Sequence, residues 1–377
     1  MTHVIDGRFG AGTVHILIVG VGHYEGGAHE DLPGVAAAVD GLTTWWSASQ
    51  ERLLEGRTLG SVRVLLAPEE GVEREYDLPT REAVCAAFSE WVSACLDAGE
   101  TGMGFLFWVG HGGTVGSLGG PGHILYCTNW VGDRQDEGYQ DAINWSETLQ
   151  GINALCGKAR MFCFIDSCRS PIHDPLKVDP ALRGYRLNGE PTTFVLYSAR
   201  PGGTAWSVDD AHQASCFPGG PLATCAILQA LEHFGATQVD PTLGHFATPD
   251  AVRLAIKHRV ERWAAWLAAE DGEEIAPPPV KFVQEQGDWF DEPMLIVTTP
   301  RAMLDVLPRA EEALNELACV VTGEDERQAD AASTGKHWEI DVGRGSHQVR
   351  ILNFPNGEAI FERRVHVNLP YHRLSRR

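Results

Sequence analysis

The sequence predicts an α/β fold: a mostly parallel central sheet with helices on both faces, followed by a small C-terminal β-rich unit. Three observations predict it. Short, nearly unbroken apolar runs recur from Val14 to Val297, as strands buried on both faces require. Amphipathic stretches with helical spacing lie between those runs, the alternation that builds parallel sheets. Beyond Trp338 the pattern changes to period-2 alternation with glycine-containing turns, which marks antiparallel strands.

The elements follow in order. Val14–Val21 is the first buried strand, and Val35, Val39, Leu42 and Trp46 define a helix over Val35–Trp46. Val62–Ala67 is the next strand. Thr80 is an N-cap for a helix over Arg81–Ala98, with Val84, Phe88, Val92 and Leu96 assigned to one face and Gly99 as its stop. Met103–Val109 is a strand that runs directly to His111. Asn144 and Glu147 have the spacing of a capping box opening a helix to about Leu155. Arg160–Ile165 is a strand ending at Asp166, Ser167 and Cys168, and Thr193–Tyr197 is the fifth. Helices are predicted over Leu222–Phe234 and Ala251–Ala269, an irregular connection at Pro277–Pro279, and a last strand of the main domain at Met294–Val297. A helical segment near Ala302–Leu317 then precedes strands at Trp338–Val342, His347–Phe354 and Ala359–Val367. The expected domains are 1–298 and 299–377, the second an accessory unit built on an antiparallel β-meander.

Composition narrows the function classes. With 44% hydrophobic residues the chain can pack a core, and its formal net charge of −21 makes the surface acidic. Such a surface repels phosphate backbones, so nucleic acid is not an expected partner. Met1 to Gly12 lack the basic start and apolar run of a secretory signal. No stretch approaches the roughly 20 apolar residues of a membrane helix. The nine cysteines form no CxxC pair and are odd in number, a usage suited to a reducing cytoplasm. No DxDxDG-type loop is present, and no cofactor is expected. A cytoplasmic protein is expected, a monomer rather than a dimer, with no membrane partner.

Reactive groups in open α/β sheets gather outside the carboxyl ends of the strands. Two predicted strands end in such groups: FLFWV leads into Gly110, His111, Gly112 and Gly113, and MFCFI leads into Asp166, Ser167, Cys168 and Arg169. His111 and Cys168 are 57 residues apart (168 − 111). A thiol beside an imidazole is a competent nucleophile. The N–H groups of Gly112 and Cys168 are candidates to hold an oxyanion. Singly, a histidine after a strand is an ordinary turn residue and a cysteine a small buried hydrophobe. The pairing at matching strand ends is what points to catalysis. Cys163, inside its strand, reads as a packing residue.

Gly110-His111-Gly112 and Asp166-Ser167-Cys168 resemble the two signatures of metacaspases and other prokaryotic caspase-like (clan CD) cysteine peptidases. The spacing of 57 is near the roughly 50 between the caspase histidine and cysteine. The opening HILIVGVGHY with Leu32-Pro33-Gly34, the segment from Tyr197 to Gly202, and Cys216-Phe217 leading into PLATCAILQAL are similar to flanking parts of the family. The resemblance covers residues 14 to 298. It implies a caspase-like three-layer fold and an endopeptidase with His111 and Cys168 as its dyad.

It also implies a substrate pocket. Asp166 stands where metacaspases carry an acidic pocket residue, and a carboxylate there favours a guanidinium or ammonium. Cleavage after Arg or Lys is therefore expected, with protein substrates as partners. Ser198 lies in the segment that lines the pocket, Trp206 follows it as a candidate subsite wall, and Asp209, beside Asp210, is a candidate second carboxylate. The chain departs from the family after Leu32-Pro33-Gly34. Metacaspases often hold a pocket Asp there, whereas this sequence has Ala36, Ala37 and Ala38, with Asp40 only later.

The polar segment 171–191 contains Lys177, Arg183 and Arg186 and is the expected place of activating cleavage, by this protease or an upstream one. The family's prokaryotic members imply a regulated protease of a signalling, cell-death or antiviral defence cascade. Two alternatives stand beside this reading. One is a non-catalytic scaffold with the same fold, and the other is a thiol hydrolase or acyltransferase, which would not need Asp166.

Overall fold

The computed structural model describes every residue except 1, 7–8, 28, 116–121, 131–140, 157, 173–177, 185–192, 206, 209–219, 241–243, 271–288, 290, 308–316, 324–327, 331, 334–337, 354–356, 368–370 and 376–377. Two units emerge, one comprising Met1–Leu228 with Pro278–Phe290 and the other Gln229–Pro277 with Asp291–Arg377.

The elements of the first unit are β1 (Thr2–Asp6), β2 (Thr13–Val21), α1 (Val35–Ser47), β3 (Thr58–Ala67), α2 (Arg81–Ala98), β4 (Met103–Val109), β5 (Gly112–Val115), β6 (Gly122–Tyr126), β7 (Ala142–Asn144), α3 (Trp145–Leu155), β8 (Arg160–Asp166), β9 (Pro171–Ile172), β10 (Thr193–Tyr197), β11 (Ser207–Val208), β12 (Gly220–Pro221) and α4 (Leu222–Gln229). Six strands form the main sheet in the order β1-β3-β2-β4-β8-β10. The five from β3 to β10 are parallel, and only the edge strand β1 runs antiparallel. The α/β class with a mostly parallel central sheet is therefore the fold observed.

Both faces of the sheet are apolar, which is why its strands lack polar alternation. On one face Leu106, Trp108, Met161, Cys163, Ile165 and Val195 pack with α2 and α3. On the other, Phe105 lies 5.9 Å from Phe162, which stacks on Phe194 at 5.7 Å. Trp46 of α1 covers Phe105 at 4.6 Å, and α4 meets α1 through Leu228 and Gly41. Three layers result.

The helix ends show how sequence sets length. Thr80 accepts the Ala83 N–H at 3.3 Å, and Gly99, with φ of 66°, ends α2. Leu96, assigned to the buried face, is 53% exposed. Twelve residues after Val84 it has drifted by about 120° around the helix, and Trp91 and Cys95 take the buried positions instead. At α3 Asn144 Oδ1 accepts the Glu147 N–H at 3.1 Å, but the Asn144 N–H donates to Asp179 O at 3.2 Å. The cap is thus completed by a distant carbonyl rather than by Glu147.

The glycine-rich excursion after His111 is a second small sheet, in the order β7-β6-β5-β9. Sequence reading left it without strands. Val178 and Leu182 are buried, and the Ala181 N–H donates to Thr148 Oγ1 at 2.9 Å. Residues 178–182 are therefore docked on α3, while Pro171 and Ile172 pair with β5. Arg183 points outward and pairs with Asp179, while Lys177 and Arg186 lie outside the described residues.

The second unit begins with a π-helical turn at Ala230–Phe234. It continues through β13 (Ala236–Asp240), β14 (Gly244–Ala247), α5 (Pro249–Glu270) and β15 (Leu295–Ile296). Strands β13, β14 and β15 form their own antiparallel sheet. The MLIV run thus pairs with β14 and does not join the large sheet, so residue 298 lies inside this unit. Next come β16 (Arg301–Leu307), β17 (Leu317–Thr322), β18 (Gln328–Asp330), β19 (Ala332–Ser333), β20 (Trp338–Gly343), β21 (Gly345–Asn353), β22 (Ala359–Val367) and β23 (Tyr371–Ser375). They make two four-stranded sheets, β19-β20-β16-β23 and β18-β17-β21-β22, which share one core of Leu304, Val321, Ile340, Val349 and their neighbours. The helix expected at Ala302–Leu317 is a strand over its first part. Ala302, Leu304 and Val306 face the core at period two, and that periodicity overrides their helical propensity. Among the described residues no helix is long and apolar enough to cross a membrane.

Gly20 fixes how closely α1 approaches β2. A Cβ there would lie 2.5 Å from Val39 Cγ2 and 3.1 Å from Val35 Cγ1. Gly20→Ala should lower the unfolding free energy by about 1–3 kcal/mol, read as a reduced urea midpoint. An unchanged midpoint would mean that the helix yields freely.

Candidate functional site

Strands β4 and β8 pair without a slip from Met103↔Arg160 to Val109↔Asp166. Every pair keeps the offset of 57 residues that separates His111 from Cys168. The pairing continues past the strand ends. The Gly110 N–H donates to Asp166 O at 3.1 Å, and Thr114 pairs with Pro171 between β5 and β9 at the same offset. His111 and Cys168 therefore each follow, by two residues, the ends of adjacent paired strands.

His111 is held by the loop that follows β2. Its N–H donates to the Tyr24 hydroxyl at 2.6 Å, and its Nε2 lies 3.0 Å from Glu30 O. A carbonyl only accepts, so Nε2 carries the proton and Nδ1 keeps its lone pair. The rings of Tyr24 and His29 lie 5.1 and 4.8 Å from that of His111. Burial pushes the His111 imidazole below its ordinary pKa, opposed by the Glu30 carbonyl. It rests neutral, as a base.

The loop itself is tied down. His23 Nδ1 meets Asp31 Oδ1 at 2.8 Å, and Asp31 Oδ2 accepts the Glu70 N–H at 2.8 Å. Glu69 accepts the N–H groups of Gly34 and Ala36 at 3.2 and 3.1 Å, capping α1. A cleft of about 790 Å³ opens here, lined in part by His29, Glu30, Asp31, Glu69 and Glu70. Strand order puts these loops on the side of β4 away from β8.

Cys168 is half-buried, and its Sγ accepts the Ala205 N–H at 3.4 Å. Burial raises the thiol above its ordinary pKa and the nearby Asp166 adds to this, while the Ala205 N–H opposes it. At rest the sulfur is a thiol, and among the described residues no hydrogen bond joins it to His111. Cys163, by contrast, is fully buried in β8 and its thiol is pushed far up by desolvation, as a packing residue should be.

The direction of the Gly112 N–H follows from the pairing of β5 with β6. His111 O accepts from Tyr126 of β6, and the β5–β6 register continues from there. Alternate residues of a strand face opposite edges, so Gly112 and Thr114 face away from β6. Thr114 confirms the direction, since its N–H reaches Ser170 O at 2.8 Å. The Cys168 N–H donates no hydrogen bond among the described residues. A Cβ on Gly112 would come within 3.0 Å of Cys168 O and 3.1 Å of Ser167 Oγ, so only glycine fits here.

Asp166 is 3% exposed. Its Oδ2 accepts the Thr224 N–H at 2.9 Å and the Thr224 hydroxyl at 2.6 Å, at the start of α4. Burial pushes its carboxyl up and the Thr224 contacts pull it back. Ser198 is beside it, its hydroxyl outside hydrogen-bond geometry but near enough to favour the carboxylate. The Ser198 N–H donates to Ile165 O at 3.0 Å. The structure thus brings together His111, Gly112, Asp166, Cys168 and Ser198, while Trp206, Asp209 and Asp210 lie outside the described residues. Asp40 binds Arg74 at 2.6 Å and is committed elsewhere. Sequence reading missed Tyr24, Glu30, Ala205 and Thr224. Two of these act through backbone atoms and leave no signal, and the only signal for Tyr24 is its place just past the strand that neighbours β4. Among the described residues no group of three or more His, Cys, Asp or Glu side chains is arranged to hold a metal ion.

No protein-family model matches the chain, and no curated protein does. Among solved structures, caspase-1 from Spodoptera frugiperda is similar, at 14% identity and a TM-score of 0.40, over 78% of this chain and 91% of that one.

A half-buried, protonated thiol with no hydrogen bond to the neutral His111 imidazole among the described residues should be alkylated slowly near neutrality. Carboxamidomethylation of Cys168 by iodoacetamide, followed by peptide mapping, should still be accelerating at pH 9.0, the ordinary thiol value. A rate already level at neutral pH would reveal a resting thiolate–imidazolium pair instead.

Proposed function

We propose that this chain is a caspase-like cysteine endopeptidase that cleaves after Arg or Lys. The observation that carries the proposal is the unbroken β4–β8 register, whose two strands lead at the same offset into His111 and Cys168. The resemblance of Gly110-His111-Gly112 and Asp166-Ser167-Cys168 to the signatures of that class supports it.

On this reading Nδ1 of His111 takes the thiol proton, and Sγ attacks the scissile carbonyl carbon. The oxyanion forms between the N–H groups of Gly112 and Cys168. As the tetrahedral species collapses, the C–N bond breaks and the imidazolium returns its proton to the leaving amine. Water, deprotonated by the same Nδ1, then hydrolyses the thioester and releases the acid product. Glu30 O holds the proton on Nε2 throughout, and it favours the imidazolium when that forms. Asp166 is the candidate reader of a basic side chain, with Ser198 beside it. Because Thr224 occupies its Oδ2, a guanidinium must reach the other oxygen or displace the α4 contact. The place in a signalling or defence cascade rests on the family resemblance alone.

Cys168→Ala and His111→Ala should each lower kcat/KM on fluorogenic Arg- and Lys-ended peptides by at least about 10³-fold. Asp166→Asn should lower kcat/KM on those substrates selectively, while alkylation of Cys168 by iodoacetamide near neutrality becomes no slower, because the charge that raises the thiol pKa is removed. Undiminished turnover by Cys168→Ala would refute the nucleophile. Equal loss on basic and neutral peptides in Asp166→Asn would refute the specificity and favour a general thiol hydrolase.

A further inference from the structure

Ser167 and His123 form a buried polar pair next to the proposed nucleophile, and none of the steps above uses it. They are 1% and 0% exposed, with Ser167 Oγ and His123 Nε2 3.0 Å apart. An imidazole and a hydroxyl placed in an apolar interior cost stability unless they bond each other, and two apolar side chains would fill the space at lower cost.

The surroundings of His123 are rigid. Its N–H donates to Ser146 Oγ at 3.0 Å, and its ring lies 5.5 Å from that of Tyr197. Tyr197 is fixed in turn by Trp145 Nε1, 2.9 Å from its hydroxyl, and by the Arg169 guanidinium 4.3 Å over its ring.

The turn that carries Cys168 is fastened on both sides. Thr224 binds the Asp166 side chain. The Arg169 N–H donates to Gly203 O at 2.8 Å, and Arg169 O accepts from Thr114 Oγ1 at 2.8 Å. Between these points lies the peptide plane joining Ser167 to Cys168, which carries the Cys168 N–H. The Ser167 side chain is the nearest handle on that plane, and His123 holds it.

We infer that His123 is a positioning residue: by holding the Ser167 hydroxyl it fixes the 167–168 peptide plane and aims the Cys168 N–H at the developing oxyanion. The inference rests on Cys168 being the nucleophile of the proposed peptidase. His123 moves no proton in this role. Burial and the Arg169 charge push its imidazole down to about 3, opposed by the Cys168 backbone, so it stays neutral at working pH.

The test uses the purified full chain and its Ser167→Ala, His123→Gln and His123→Phe variants, assayed on an Arg-ended fluorogenic peptide. Ser167→Ala and His123→Phe should lower kcat about 10- to 100-fold with KM nearly unchanged. The double variant should be no worse than either single one. Iodoacetamide alkylation of Cys168, which needs no oxyanion hole, should keep its wild-type rate. His123→Gln, which retains a hydrogen-bonding group, should recover part of the loss. Wild-type kcat in Ser167→Ala overturns the inference alone, as does a parallel fall in kcat, alkylation rate and thermal midpoint. A folded wild type that turns over no peptide removes the peptidase reading and the inference with it.

Discussion

The parallel ladder between β4 and β8 is the constraint on which the rest of the site depends. Parallel strands in a sheet buried on both faces cannot slip by one residue without turning every side chain to the opposite layer. In this sheet a slip would break the alternation of Phe105 and Phe107 with Leu106 and Trp108. The distinct packing on the two faces, the Phe105, Phe162 and Phe194 stack on one and the Leu106, Trp108 and Ile165 set on the other, therefore locks one register. That register aligns the strand ends that lead to His111 and Cys168, so core packing sets the frame of the candidate site.

Between the end of the β4–β8 ladder and the start of the short β5–β9 pairing, polar side chains and backbone contacts take over. The loop after β2 grips His111 at two points, through the Tyr24 hydroxyl and the Glu30 carbonyl. The turn after β8 is gripped by Thr224, His123, Gly203 and Thr114. Each anchor comes from a different element, which makes the site cooperative with the whole first unit. Residues bearing the chemistry are thereby few, and those holding them are many.

What could be read from the sequence follows the same division. The main strands and helices carried uninterrupted apolar runs or helical spacing, and His111 and Cys168 stood at two of the ends. The short strands β5, β6, β7 and β9 carried no such signal, because runs of two to five residues do not establish a period. The segment after Pro300 misled because Ala302, Met303, Leu304 and Leu307 suit a helix, whereas pairing with β20 and β23 makes it a strand. The bond to Glu30 was invisible for a different reason. A backbone carbonyl is common to all residue types, so no side chain announces it. Asp166 was singled out by the family resemblance, and the sequence held no hint that Thr224, 58 residues on, would bind it.

That bond to Thr224 gives Asp166 two competing demands. A buried carboxylate close to Cys168 favours the protonated thiol, which under the proposed function would suppress the nucleophile at rest. Under the proposed specificity, a guanidinium or ammonium entering beside Asp166 would compensate its charge. The electrostatic penalty on the thiolate would then fall when a basic residue is bound, and remain when a neutral or acidic one is. Substrate recognition and nucleophile activation would share one carboxylate, so selectivity would appear in kcat as well as in KM. A pocket acid placed farther from the sulfur could discriminate substrates only by affinity.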